Sequence, residues 1–252
     1  MKAQYGIVKT QPRNLLPETD ILPVNHQGKI LSARYPSFGP GSYVNNIGAM
    51  QRQFYHSDTL PNITFQPATT SESISIASYN FAELAKPQIL DPRWLQLGYH
   101  VLTSELVFFN PPKDAQGKPI IDERVLKNHL NECKKSHGIY LGNNDFGFAP
   151  YDSFKRGVQE SGEFAESGLA RLLEYTDRKI ALNLKKISSK ENYPGGVRVS
   201  EFDASIEPVL RVSALDSNRG LDDRLYVDGY RGGSRGGDAF GVQVAPQARA
   251  EK

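Results

Sequence analysis

Thr69-Thr70-Ser71-Glu72-Ser73-Ile74-Ser75-Ile76-Ala77-Ser78-Tyr79-Asn80-Phe81-Ala82-Glu83-Leu84-Ala85 is the stretch on which the fold reading turns. Thr69 and Glu72 stand at the Thr-x-x-Glu spacing of a capping box, where each side chain satisfies the other residue's backbone N–H at a helix start. Ile74, Ala77, Phe81 and Ala85 then recur at helical intervals until Pro87 ends the pattern. The spacing predicts a helix over 70–86. Ile74 and Ile76 also fit a short alternating strand, the alternative reading.

Downstream the helix signals continue. Asp91-Pro92 reads as an N-cap and first-turn pair for a short helix carrying the only tryptophan, Trp94, and stopped by Gly98. Tyr99 to Phe109 is β-like and ends at Asn110-Pro111-Pro112. Asp122 is placed to cap a helix with Val125, Leu126, Leu130 and Cys133 on one apolar stripe and Gly138 as its stop. Ile139 to Leu141 reads as a buried strand. Asp152 or Ser153 then caps a helix weakened by Gly157, Gly162 and Gly168, with a break expected near Gly162 and a better helix from Glu163 to Tyr175. Asp177 is placed to cap a last helix through Ile187.

Beyond Pro194 the period changes to two. Val197 and Val199, Leu210 and Val212, Leu225 and Val227, and Val242 and Val244 are short alternating pairs separated by turn residues. The expected fold is therefore α+β, with a central helical region, short and mostly antiparallel C-terminal strands, and an extended N-terminal arm. The arm is assigned to residues 1–68 and the core to 69–252, forming a single domain overall. Residues 1–80 hold 10 of the chain's 58 charged residues and seven prolines, together with enough aromatic and aliphatic side chains to pack against the core.

Composition excludes several classes. Leu, Ile, Val and Phe make up 63 of 252 residues, above the roughly 20% below which disorder is the default. The formal charge of +2 gives no field for a polyanion. No run of about 18 apolar residues occurs, which predicts no membrane span, and no apolar stretch of a secretory signal follows Met1. The single Cys133 allows no internal disulfide and points to a reducing, cytoplasmic setting.

Three constellations carry chemical candidates. His129, Cys133 and His137 are spaced by four and four, but a helix rises about 12 Å over eight residues, too far for one ion to gather all three. No metal site is therefore expected, and no cofactor is expected either. Gly142-Asn143-Asn144-Asp145-Phe146-Gly147 follows the predicted strand. Asp145 could act there as general base, with Asn143 and Asn144 orienting and Tyr151 or Asp152 as a second polar group, or the segment is a hairpin turn. Gly229 to Gly237 contains Arg-Gly-Gly twice, so Tyr230, Arg231 and Arg235 are candidates for RNA contact, although Asp222, Asp223, Asp228 and Asp238 nearly neutralise the local field.

No phosphate loop, dinucleotide fingerprint, nucleophile elbow or His-Glu-x-x-His motif occurs. The leading expectation is a cytoplasmic binding or structural-interaction protein, with a protein partner or a homo-oligomer and without nucleic acid or membrane. The alternative is an enzyme with hydrolase-like carboxylate chemistry near residues 141–152, and the second alternative is RNA association. The sequence is compatible with an enzyme and with a protein that only binds.

Overall fold

The computed structural model describes residues 21–35, 37–51, 54–55, 62–83, 94–217, 222–229 and 236–244, with backbone alone for 54–55, 62–63 and 80–83. The N-terminal part holds β1 (Ile21–His26), β2 (Lys29–Arg34), β3 (Phe38–Gly41), α1 (Tyr43–Met50), β4 (Phe54–Tyr55), β5 (Asn62–Ile63) and β6 (Phe65–Pro67). The middle holds α2 (Thr70–Glu83), β7 (Trp94–Leu102), β8 (Leu106–Phe109), α3 (Glu123–Asn128), β9 (Lys134–Ser136), β10 (Ile139–Leu141), β11 (Gly147–Pro150) and β12 (Gly157–Gln159). There follow α4 (Ser161–Glu166), α5 (Gly168–Leu173), α6 (Leu182–Ile187), β13 (Val197–Ser200), β14 (Val209–Ser217), β15 (Leu225–Asp228), β16 (Gly237–Ala239) and β17 (Gly241–Gln243).

Eleven strands form one mixed sheet. Nine run in the order β12-β13-β15-β14-β7-β8-β11-β10-β9, while β16 pairs in parallel with the start of β7 and carries β3. A second sheet has the order β1-β2-β17-β6. The expected α+β fold with a central helical region and C-terminal strands is therefore wrong: the chain is mostly β, with few and short helices. Among the described residues no helix is long and apolar enough to cross a membrane.

Each misreading has a local cause. β7 is buried on both faces, so it shows no alternation, and the Asp91-Pro92 signal led to a helix where Trp94 begins a nine-residue strand. Gly98 stops no helix. A Cβ there would come 2.9 Å from Thr70 Oγ1, at the point where the ladder to β14 shifts between Ser213 and Ala214. Asp122 does cap α3, its Oδ1 accepting from Arg124 N at 2.8 Å and Val125 N at 3.2 Å. The helix then tightens into a 3-10 turn at His129–Glu132, and Cys133 is already extended.

His137 (φ 46°) and Gly138 (φ 86°) form the two-residue turn of the β9–β10 hairpin, in which Ser136 pairs with Ile139. Tyr151–Ser153 is a single 3-10 turn rather than the start of a helix, and residues 161–187 break into three six-residue helices. The break falls at Ser167, whose Oγ accepts from Ala170 N at 3.2 Å and caps α5. The expected extended N-terminal arm also fails from residue 21 onward. Pro23 lies in the outer strand β1, where a missing N–H is tolerated, and 21–67 supply six strands and α1.

The capping-box helix forms as α2. Thr69 N donates to Glu72 Oε2 at 2.8 Å and Glu72 N to Thr69 Oγ1 at 3.3 Å. Its neighbours are β1, β7, α5 and α6. From Thr70 to Ser78 every residue but Glu72 is buried, serines included. Small hydroxyl side chains let neighbouring elements approach from all sides, and a serine can return its proton to its own helix. Ile74, Ile76 and Ala77 pack into the main core with Leu95, Leu169, Leu173 and Leu184, each isoleucine stabilising the fold by roughly 1.5–3 kcal/mol.

Candidate functional site

The β10–β11 hairpin lies between two concave surfaces. Its tip is a type I′ turn: Asn144 (φ 54°) and Asp145 (φ 60°) are both left-handed, and Phe146 N donates to Asn143 O at 3.0 Å. Asn143 lines both surfaces, a polar cleft of about 740 Å³ and a more apolar one of about 520 Å³.

The polar cleft contains the side chains most suggestive of chemistry. His26 Nδ1 and Ser75 Oγ are 2.9 Å apart, and both residues are buried. Glu174, also buried, accepts at Oε2 from Asn183 N (3.0 Å) and Leu184 N (3.2 Å), the free donors at the start of α6. Burial pushes its carboxyl above the ordinary value, and the backbone donors of α6 pull it back. The Tyr175 hydroxyl donates to Gly142 O, and its pKa is raised to about 12, first by burial and then by Asp145 and Cys133.

A serine beside a histidine invites a hydrolase reading, but the geometry does not complete one. Ser75 lies within α2, where the backbone N–H groups are used by the helix, so it has no pair of free donors for an oxyanion. Glu174 holds α6 and makes no hydrogen bond to His26. Neither residue was singled out by sequence, and 49 residues separate the pair.

The second cleft has the character of a ligand pocket. Tyr43, Ile47, Tyr99, Pro111, Pro112 and Phe146 form its apolar wall. Tyr43 and Tyr99 meet edge to face, with ring centroids 4.9 Å apart. Tyr43 is 5% exposed, and its hydroxyl has no hydrogen-bond partner among the described residues. Burial and then the Tyr99 charge push its pKa well above the usual tyrosine range. The exposed side-chain amides of Asn143 and Asn144 are likewise free of protein hydrogen bonds there.

Asp145 lines neither cleft. Its Oδ2 accepts from Ser71 Oγ at 2.8 Å, and its carbonyl accepts from Asn110 Nδ2 at 3.0 Å. Asn110 Oδ1 in turn accepts from Thr70 Oγ1 at 3.1 Å. Asp145 thus braces the turn against α2 while Asn143 and Asn144 face the clefts. Asp152 is exposed, in a separate hollow with Ser153, and the Tyr151 hydroxyl donates to Thr103 O at 3.0 Å. His129, Cys133 and His137 fall on a 3-10 turn, at its end and in a hairpin turn. Tyr230, Arg231 and Arg235 lie outside the described residues.

Sequence reading reached the turn and missed the wall, whose residues come from four separate segments. The one local signal was Asn110-Pro111-Pro112, read only as a strand end. No family model, curated protein or solved structure matches the chain.

Proposed function

We propose that this chain is a binding protein that holds a small amphipathic molecule in the cleft between Tyr43, Tyr99, Pro111 and Phe146. The observation that carries this reading is the Tyr43 hydroxyl, on an almost fully buried residue, lining an apolar cleft without a partner. That hydroxyl is open to the cleft and uncommitted within the described part of the fold, so it is available to hydrogen-bond a bound ligand. A volume of about 520 Å³ suits a small molecule. The free amides of Asn143 and Asn144 supply donors and acceptors beside the wall, while the rings bury the ligand's apolar body.

Carboxylate hydrolysis at 141–152 is supported less well, because the Asp145 carboxylate is engaged by Ser71 and stands outside both clefts. The cytoplasmic part of the reading rests on Cys133 alone.

The test is titration with 8-anilinonaphthalene-1-sulfonate, whose aromatic body and single polar group match the cleft. Saturable binding at one site is expected for the native protein. Ile47→Trp, which fills the cleft, and Tyr99→Ala, which removes part of its wall, are expected to abolish it while circular dichroism stays unchanged. Equal binding by folded Ile47→Trp overturns the reading.

A further inference from the structure

Arg171 poses a separate problem. It lies within α5 in the apolar run Leu169-Ala170-Arg171-Leu172-Leu173 and is only 6% exposed. Its Nε donates to Ser167 O at 3.3 Å, one helical turn back, while Nη1 is buried with no hydrogen-bond partner. No carboxylate among the described residues forms an ion pair with it. Burial alone lowers its pKa from the ordinary arginine value. A buried guanidinium without a counter-charge is a strongly unfavourable arrangement, and proteins that keep one supply the missing anion.

Arg171 lines a hollow of about 340 Å³ together with Lys135, His137, Tyr140, Asp152 and Ser153. Lys135 Nζ lies 5.5 Å from the centre of the Tyr140 ring, and that ring stacks on Phe148 at 4.3 Å, so the cation stands on a rigid wall. His137 is fixed at the left-handed hairpin turn. Ser153 Oγ donates to Pro150 O at 2.7 Å. Asp152 is the acidic member of the lining. It is exposed to water and pairs with none of the three basic side chains.

We propose that this hollow binds an oxyanion, the phosphate or carboxylate group of a small solute, with Arg171 as the buried cation and Lys135 and His137 at the mouth. The guanidinium supplies a fixed, water-shielded positive charge to such a group, and the lysine adds charge at the entrance. The inference rests on the isolation of Arg171 and is independent of the apolar cleft.

The probes are inorganic phosphate and acetate, each compared with sodium chloride at matched ionic strength, with melting temperature and calorimetry as readouts. Phosphate or acetate is expected to raise the melting temperature saturably beyond chloride, and the stronger of the two assigns the group. Arg171→Met is expected to abolish the response. In chloride it is expected to melt no lower than the parent, because an unpaired buried charge has been replaced by an apolar chain of similar length. Lys135→Gln is expected to weaken binding by about 3- to 10-fold, the scale of one exposed charge contact. Lack of response to both anions overturns the proposal, as does an Arg171→Met protein that responds like the parent. Should Arg171→Met fail to fold, Lys135→Gln combined with His137→Asn carries the test, and an unchanged response from that pair overturns it.

Discussion

Ser71 Oγ donates to Asp145 Oδ2 at 2.8 Å, tying the first turn of α2 to the tip of a hairpin 74 residues further along the chain. This bond sets the position of Asn143 and Asn144 between the two clefts. Ser71→Ala is expected to destabilise by about 1–2 kcal/mol in urea unfolding, since a partly buried carboxylate loses a donor. Asp145→Asn keeps an acceptor and tolerates the left-handed backbone, so it is expected to retain ligand binding. Asp145→Ala loses the bond and is strained at φ 60°. A Ser71→Ala variant as stable as the parent would show that the bond does not hold the turn.

His100 gives the fold a pH dependence. It is fully buried between Phe109 and Phe202, with ring centroids 5.2 and 5.1 Å away, and neither ring nitrogen has a well-formed hydrogen bond. Its pKa falls from 6.5 to about 3, mainly by burial and then by the Arg211 charge, with the Gly229 backbone acting the other way. The unfolded chain therefore binds the extra proton between these values. Stability from this group is complete above pH 6.5 and is lost as pH falls toward 3. His100→Phe, similar in shape, is expected to flatten the acid limb of stability against pH by on the order of a few kcal/mol relative to the parent. Parallel curves for the two proteins would refute the assignment.

The sequence was legible where one local signal sufficed. Thr69 and Glu72 announced α2, and Ile139 to Leu141 and the valine pairs after Pro194 announced strands, because capping and short periodicity are properties of neighbours in the chain. Residues 99–102 of β7 fell within the run read as β-like, but 94–98 were hidden for the opposite reason: both faces of the strand are covered by other elements, so its apolar residues do not alternate. The Asn144-Asp145 turn was anticipated as one of two readings of that segment. Tyr43 and Tyr99 became a pair only through the pairing of β3, β16 and β7, which no local pattern encodes. Arg171 left one trace, a charge inside an apolar run, and its lack of a counter-ion is visible only in three dimensions.

Glu174 makes an opposite pair of substitutions informative. Its pKa is raised, by burial first, so the folded protein holds its proton more tightly than the unfolded chain does. The associated stability is present below the ordinary carboxylate range and is lost as pH rises through the folded value. Glu174→Gln keeps an acceptor for Asn183 N and Leu184 N without the buried charge. It is expected to be at least as stable as the parent at neutral pH, with the difference shrinking in acid. Glu174→Ala leaves the start of α6 without its acceptor and is expected to lose about 1–3 kcal/mol at every pH. Urea midpoints across pH check both, and a Glu174→Gln protein that is weaker at neutral pH would mean that the ionised form is the one the fold prefers.

Two glycines in neighbouring helices should respond to alanine with opposite signs. At Gly162, an exposed position of α4, a Cβ meets nothing within 4 Å. Gly162→Ala is therefore expected to stabilise by roughly 0.5–1 kcal/mol through helix propensity and a less flexible unfolded chain. At Gly168, the first residue of α5, a Cβ would stand 2.6 Å from Ser153 Cβ and 3.0 Å from Ser153 O. Gly168→Ala must push α5 away from the 3-10 turn, and overpacking of this kind is expected to cost about 1–3 kcal/mol. Ser153→Gly in the same chain removes the clashing side chain and should recover part of the loss, giving a favourable coupling in a double-mutant cycle of thermal or urea unfolding. Equal effects at the two positions would mean that α5 does not pack against Ser153, and the wall that Arg171 and Ser153 share would lose its support.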